Sequence, residues 1–251
     1  MYERTFTMDF SLFIPNMIKI WGQYWEVFLL TGLKNTLLLT CISVALGSLL
    51  GTVVAMLKMS KWKPVRFLIS IYIEVLRGTP ILLQLYVFYF VLPNVFTFLK
   101  LSQFMWVAIA LCVNSSAYVS EVIRSGIQAV DKGQMEAARS LGMSEGQAML
   151  KIILPQAIRN ILPALGNEFI MMLKETSLAS TFFLGDLMTS YAIVKGATYL
   201  TLEPMTIVAI IYLCVTFPLS KVVARYEKKM ANPNSYKKHN RKRKLSQGGK
   251  I

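Results

Sequence analysis

Apolar residues run in long blocks along this chain, and the polar residues collect between them. Blocks at roughly 30–57, 67–92, 104–127, 162–187 and 205–223 stand out. Each is about the length that spans hydrocarbon as a helix, around 20 mostly apolar residues. The pattern predicts an all-α integral membrane protein with about five transmembrane helices. Ahead of the first block, Ile18–Trp25 holds Trp21, Tyr24 and Trp25, rings that settle at a membrane interface. Within the first block Gly47 and Gly51 stand four apart, the small-xxx-small spacing that lets helices approach closely. In the second, Glu74 and Arg77 are placed to pair along a helix, and Pro80 predicts a kink. These features divide the chain into an extracytoplasmic or interfacial segment (1–29), a five-span domain (30–225) and a basic tail (226–251).

One polar stretch interrupts the blocks, DKGQMEAARSLGMSEGQAMLKIILP from Asp131 to Pro155. Asp131 with Gln134, and Ser144 with Gln147, each have the spacing of a capping box, in which two side chains satisfy helix-end amides reciprocally. Gly142 falls where a first helix should end, since the left-handed conformation costs glycine least. Pro155 disfavours helical geometry at Leu154. The stretch predicts two short helices, roughly 132–141 and 145–153, joined by a tight glycine corner.

Composition agrees with a membrane protein: 55% of residues are hydrophobic, 16% are charged, and mean hydropathy is +0.50. Soluble domains carry about a quarter charged residues. The net charge of +14 does not point to nucleic acid, because the bases gather in two inter-block loops and in the tail. Lys58, Lys61, Lys63 and Arg66 form one group, and Lys132, Arg139, Lys151 and Arg159 another. The tail has Lys237, Lys238, Arg241, Lys242, Arg243 and Lys244, with no interleaved aromatic residue, so it is expected to be disordered and drawn to anionic lipid headgroups. Positive loops stay cytoplasmic, which predicts an external N-terminus, an internal C-terminus and a cytoplasmic 131–155 segment. Residues 1–24 lack a basic start and a small-residue cleavage site, so no cleaved signal peptide is expected. Cys41, Cys112 and Cys214 have neither metal nor disulfide spacing. A single histidine, His239, excludes an H-E-x-x-H site, and no metal is expected. No G-x-x-x-x-G-K-[ST] loop is present, so the chain is not expected to bind ATP or any cofactor.

Charges at bilayer depth are costly and mark interiors or pathways. Asn114, Tyr118 and Glu121 share one face of the third block. Glu121 is expected to pair with Arg124 or a neighbouring helix, and Asn114 is a pathway candidate. In the fourth block, Glu168 lies seven residues before Glu175, and Asn167 seven before Lys174. Glu168, Lys174 and Glu175 are therefore pathway candidates with Asn114, while Glu74, Arg77, Pro80 and Glu121 are structural or gating candidates.

Glu136-Ala137-Ala138, Gly142, Ile152, Leu154 and Pro155 together resemble, at its spacing, the cytoplasmic loop signature of permease subunits of ABC importers. Arg77-Gly78-Thr79-Pro80 with Gln84-Leu85, and Lys174-Glu175-Thr176-Ser177-Leu178, are similar to the subgroup that moves polar amino acids, the histidine/glutamine/arginine permease-like family. The resemblance covers roughly residues 25–225. It implies a type I importer permease fold, with Glu136, Ala137, Ala138, Gly142, Ser144, Ile152, Leu154 and Pro155 forming the docking segment for an ATPase. It also implies two ABC ATPase subunits that use ATP and Mg, a second permease copy or a similar permease, and an extracytoplasmic amino-acid-binding protein. On this reading the chain is no enzyme itself and sits in a bacterial-type cytoplasmic membrane. Two rivals remain open. An ion-coupled carrier would explain the intramembrane carboxylates but not the ordered signature, and a purely structural membrane subunit would leave the pathway elsewhere.

Overall fold

The computed structural model describes residues 11–231, and within them the chain is helical with no strand. The basic run 237–244 and His239 lie outside the described residues. Helix α1 (Phe13–Glu26) passes through a wide π-turn, Val27–Leu33, into α2 (Lys34–Lys58). Then follow α3 (Lys63–Gly78), α4 (Ile81–Tyr86), a second π-turn at Val87–Val91 and α5 (Leu92–Val95). Helix α6 (Gln103–Gln128) leads to the short α7 (Lys132–Ser140) and α8 (Glu145–Ala148). A π-turn at Met149–Ile153 joins α8 to α9 (Leu154–Glu175), which tightens into a 3₁₀ segment, Thr176–Phe182. Helices α10 (Leu187–Thr198) and α11 (Leu202–Ala231) complete the chain.

Among the described residues four continuous helical stretches are long and apolar enough to span a membrane: Phe13–Lys58, Gln103–Gln128, Glu145–Phe182 and Leu202–Met230. The broken pair of Lys63–Gly78 and Ile81–Val95 makes a fifth if it counts as one span. The expected all-α membrane architecture is therefore present, with corrections in detail. The first helix starts at Phe13, well before the block at 30. Its 46 residues rise about 69 Å at 1.5 Å each, more than twice the hydrocarbon thickness. The second block is not one kinked helix: α3 stops at Gly78, and Pro80 is extended (φ −60°, ψ 133°) ahead of α4. The α-helical part of the fourth stretch ends at Glu175 and its 3₁₀ continuation at Phe182, short of 187. Thr176 and Ser180 turn their hydroxyls onto the carbonyls of Leu173 and Ser177 (2.8 and 2.7 Å), the local competition by which Ser and Thr weaken regular helix.

The chain divides into two compact units, and several helices contribute residues to both. Of the described residues, the first unit contains 11–46, 79–113 and 171–216. One of its cores gathers Leu39, Leu85, Val107, Leu111, Met172 and Phe182. The other packs Ile20 of α1 and Phe28 against Leu187 and Val194 of α10 and Ile207, Val208 and Ile211 of α11. Gly32 permits that approach, since a Cβ there would meet the Leu187 Cα at 3.1 Å.

Of the described residues, the second unit contains 47–78, 114–170 and 217–231. Here α2 and α6 meet at Gly51, where a Cβ would lie 2.8 Å from both the Ser116 carbonyl oxygen and the Val119 side chain. The small-residue spacing read from the sequence thus marks a close helix contact. Tyr72 of α3 and Ser116 of α6 share a hydrogen bond of 2.6 Å between their hydroxyls.

Candidate coupling segment and intramembrane polar residues

The segment from Asp131 to Pro155 is built by its caps. The Asp131 carboxylate accepts from the Gly133 amide (2.7 Å) and starts α7. The expected reciprocal box does not close there, because the Gln134 side-chain oxygen instead accepts from Gln156 (3.4 Å). Helix α7 ends in a Schellman motif. The Met143 amide donates to the Ala138 carbonyl (3.1 Å) and the Gly142 amide to the Arg139 carbonyl (3.0 Å), with Gly142 left-handed at φ +83°. This is the pairing that satisfies a helix's last carbonyls when the residue after its cap turns left-handed. Arg139 adds a bond to the Met143 carbonyl (3.0 Å). At Ser144 the second box closes as expected, Ser144 Oγ accepting from the Gln147 amide (3.2 Å) and Gln147 Oε1 from the Ser144 amide (3.0 Å). Two helices and a glycine corner are thus fixed by backbone and cap bonds, with Ala138 and Ala148 buried beneath them.

Pro155 does not break the chain. Helix α9 begins at Leu154 and runs on past it. The preceding π-turn, in which the Leu154 amide reaches the Met149 carbonyl, widens the helix where the proline ring would crowd it. The buried positions record the wider step: Ala148, Ile153, Ala157 and Ile161 are spaced five, four and four. Ile153 is the inward residue, and Ile152 and Leu154 are half-buried on its flanks.

Glu136, Ala137, Gly142, Ser144 and Pro155 are exposed, whereas Ala138 is buried. Leu141 is 84% exposed and was not picked out from sequence; a lone leucine beside the glycine corner of a polar segment was the available signal. Lys61 reaches Glu145 at 3.3 Å, with both side chains in solvent, where such a pair contributes little.

The intramembrane candidates separate by burial. In the second unit, Asn114 and Glu168 are buried, and Glu168 accepts a hydrogen bond from Ser115 (3.2 Å), a partner the sequence did not suggest. Glu121 forms a close pair with Arg124 (2.6 Å), which also donates to Gln128 (2.7 Å). The Arg77 guanidinium lies 5.6 Å over the Tyr118 ring instead of pairing with Glu74, a cation–π contact. In the first unit, Lys174 is exposed and Glu175 half-buried. Asp186, which no spacing or motif marks in the sequence, is fully buried in the connection before α10. Its carboxylate caps that helix, accepting from the Met188 amide (2.9 Å) and from the Thr189 hydroxyl. Burial pushes the Asp186 carboxyl above the usual aspartate range, against these hydrogen bonds, which lower it.

Residues 47–232 match the family described as the inner membrane component of binding-protein-dependent transport systems. The chain belongs to this family. Among the permease's relatives, the arginine transport system permease protein ArtQ of Bacillus subtilis is 40% identical over 223 residues, 89% of this chain and 97% of ArtQ. The probable glutamine ABC transporter permease protein GlnM of the same organism is 42% identical over 199 residues, 79% and 91% of the two chains. A crystal structure of an amino acid ABC transporter with histidines superposes at a TM-score of 0.79 with 46% identity, covering 86% of the permease and 98% of that chain. The segment 131–155 and all the intramembrane candidates fall inside the family match.

Proposed function

We propose that this permease is the membrane-spanning subunit of an ATP-driven ABC importer that moves polar amino acids across the cytoplasmic membrane. The names of its relatives support an amino acid substrate. The observation that carries the mechanism is the cap-built corner at Gly142, which holds Glu136, Ala137 and Leu141 in solvent on a rigid support. A partner ATPase docks on that knob; two such subunits hydrolyse ATP, and their closure drives α7 and α8. Because α8 continues through the π-turn into α9 without a break, displacement of the knob is passed to a spanning helix instead of being lost in a loop. The arrangement of bases puts the knob in the cytoplasm and the N-terminus outside.

A second permease copy or a similar permease covers the face that carries Lys174. An exposed ammonium at bilayer depth needs protein or water beside it, so Lys174 and Glu175 are assigned to the pathway. Asn114 and Glu168, buried in the second unit with Glu168 bonded to Ser115 of α6, are the other two residues proposed for the pathway. A binding protein delivers the amino acid from outside.

The test is uptake by the reconstituted complex in sealed vesicles with a panel of labelled amino acids. ATP on the face carrying the knob should drive uptake of polar amino acids from the other face. In the same vesicles an impermeant thiol reagent on that other face should reach a cysteine at Ser102 and not one at Ser144, in a background lacking the native cysteines. Uptake that persists with an inactivated ATPase would instead establish an ion-coupled carrier.

A further inference from the structure

A polar pocket of about 600 Å³ opens in the second unit, lined by Lys58, Met59, Arg66, Glu74, Glu121, Arg124 and Gln128. The transport reading uses none of these as a group. The wall from α3 presents Arg66 and Glu74, two turns apart, and the wall from α6 presents Glu121, Arg124 and Gln128. The end of α2 adds Lys58, whose ammonium donates to the Ser70 hydroxyl at 2.6 Å. Arg124 is occupied by Glu121 and Gln128. What stays available is the Lys58 ammonium and the Arg66 guanidinium at one end of the α3 wall, with the Glu74 carboxylate two turns from Arg66. Three bases against two acids leave the pocket net positive.

The surface beside the pocket is apolar. One position round α3 from the polar wall, Phe67, Ile71 and Val75 are 66%, 45% and 54% exposed, and Leu68 is 64% exposed. Cations at the rim of a spanning bundle next to an exposed hydrophobic stripe match a ligand with an anionic head and an apolar body. A free anion would use the pocket and ignore the stripe.

We propose that this pocket binds the phosphate headgroup of an anionic glycerophospholipid. Lys58 and Arg66 take the phosphodiester, and the acyl chains run along Phe67, Ile71 and Val75. Basic pockets between spanning helices recognise anionic heads through charge and hydrogen bonds together. Glu74 opposes an anion and limits its affinity. The site uses none of the residues proposed for the substrate pathway, and it stands whether or not the amino acid reading holds.

The experiment uses the full-length permease purified in detergent and titrated with phosphatidylglycerol, phosphatidylcholine or inorganic phosphate while its melting is followed. Phosphatidylglycerol should raise the melting temperature at lower concentration than phosphatidylcholine, and inorganic phosphate should have no effect at equal concentration. At about fivefold per basic residue near a membrane surface, Lys58→Gln with Arg66→Gln should shift the phosphatidylglycerol midpoint up by roughly 30-fold. The phosphatidylcholine curve should not move. Glu74→Gln should shift the phosphatidylglycerol midpoint down by about fivefold, and this gain decides the matter if the double variant does not fold. Equal effects of the two lipids, or no change in either variant, would overturn the proposal. A response to inorganic phosphate matching that to phosphatidylglycerol would show a site for free anions and overturn the lipid assignment.

Discussion

Gly142 and Pro155 sit thirteen residues apart in one segment, and each is a helix breaker by reputation. Only the glycine turns the chain. At Gly142 the backbone is left-handed, and two amide–carbonyl bonds of the Schellman motif depend on that conformation. At Pro155 the helix widens for one turn beforehand and continues into α9. The difference lies in what each residue demands. A positive φ is a discrete state that leaves the helix, whereas a missing amide and a bulky ring can be accommodated by a wider turn. In a permease moved by an ATPase both outcomes are useful. The glycine shapes a corner that protrudes, and the absorbed proline leaves that corner joined to a span.

The largest effect is expected from Gly142→Val. Nothing lies within 4 Å of a Cβ at this position, so the penalty is purely conformational, about 1–3 kcal/mol for a non-glycine residue held left-handed, and a β-branched side chain is the worst case. The corner should open, the ATPases should bind less tightly, and transport per ATP hydrolysed should fall several-fold while the spanning helices stay folded. Gly142→Asn, which tolerates the left-handed region, should retain most of the coupling. Wild-type coupling in purified Gly142→Val complexes would show that the corner does not set docking geometry.

The same comparison shows what the sequence made legible. The glycine corner, the Ser144 box and the third and fifth spans were readable because each rests on local chemistry or on one long apolar run. The wide turn before Pro155 was not, since Ile152, Ile153 and Leu154 are all apolar and do not reveal which of them faces inward. The end of the fourth span was hidden by hydropathy. Leu178, Phe182 and Phe183 extend the apolar run, while Thr176 and Ser180 turn the backbone to 3₁₀ geometry by bonds that no average detects. Ser115 beside Glu168, and Tyr118 under Arg77, are contacts between elements far apart in the chain, so no spacing could announce them.

A middle-sized effect should separate the two caps. Ser144 closes a reciprocal box, whereas Asp131 has only its bond to Gly133. Loss of a cap costs about 0.5–2 kcal/mol. Ser144→Ala with Gln147→Ala, which removes both bonds of the box, should fall in the upper part of that range and Asp131→Ala near the bottom, with faster amide exchange at residue 147 and at Gly133 respectively. If the two variants lose equal protection, the second bond of the Ser144 box contributes nothing, and the corner is held from Gly142 alone.

The smallest effect is expected from Pro155→Ala, and its smallness is the informative part. Were the proline the cause of the π-turn, restoring an amide at 155 would let it bond to the Lys151 carbonyl and close the helix to regular α geometry. Removing the one-residue excess would then rotate α7 and α8 by about 100° around α9, one residue's turn of a 3.6-residue helix. The burial pattern argues that packing holds the turn instead. Ala148 and Ala157 are fully buried and Ile153 is 4% exposed, and a regular helix continued back from Ala157 and Ile153 would turn Ala148 away from the inward position and bring Met149 there instead. Pro155→Ala should therefore cost less than about 1 kcal/mol, mostly through the greater freedom of the unfolded chain. The π-turn should persist and coupling should stay near the wild-type level. The measurement is a disulfide cross-link between cysteines at Gln134 and Gln156, whose side chains already meet in the native segment, formed in the presence and absence of the substitution. Equal cross-linking would assign the turn to the buried face. Its loss, together with loss of coupling, would make Pro155 the residue that sets the register between the knob and the spanning helix.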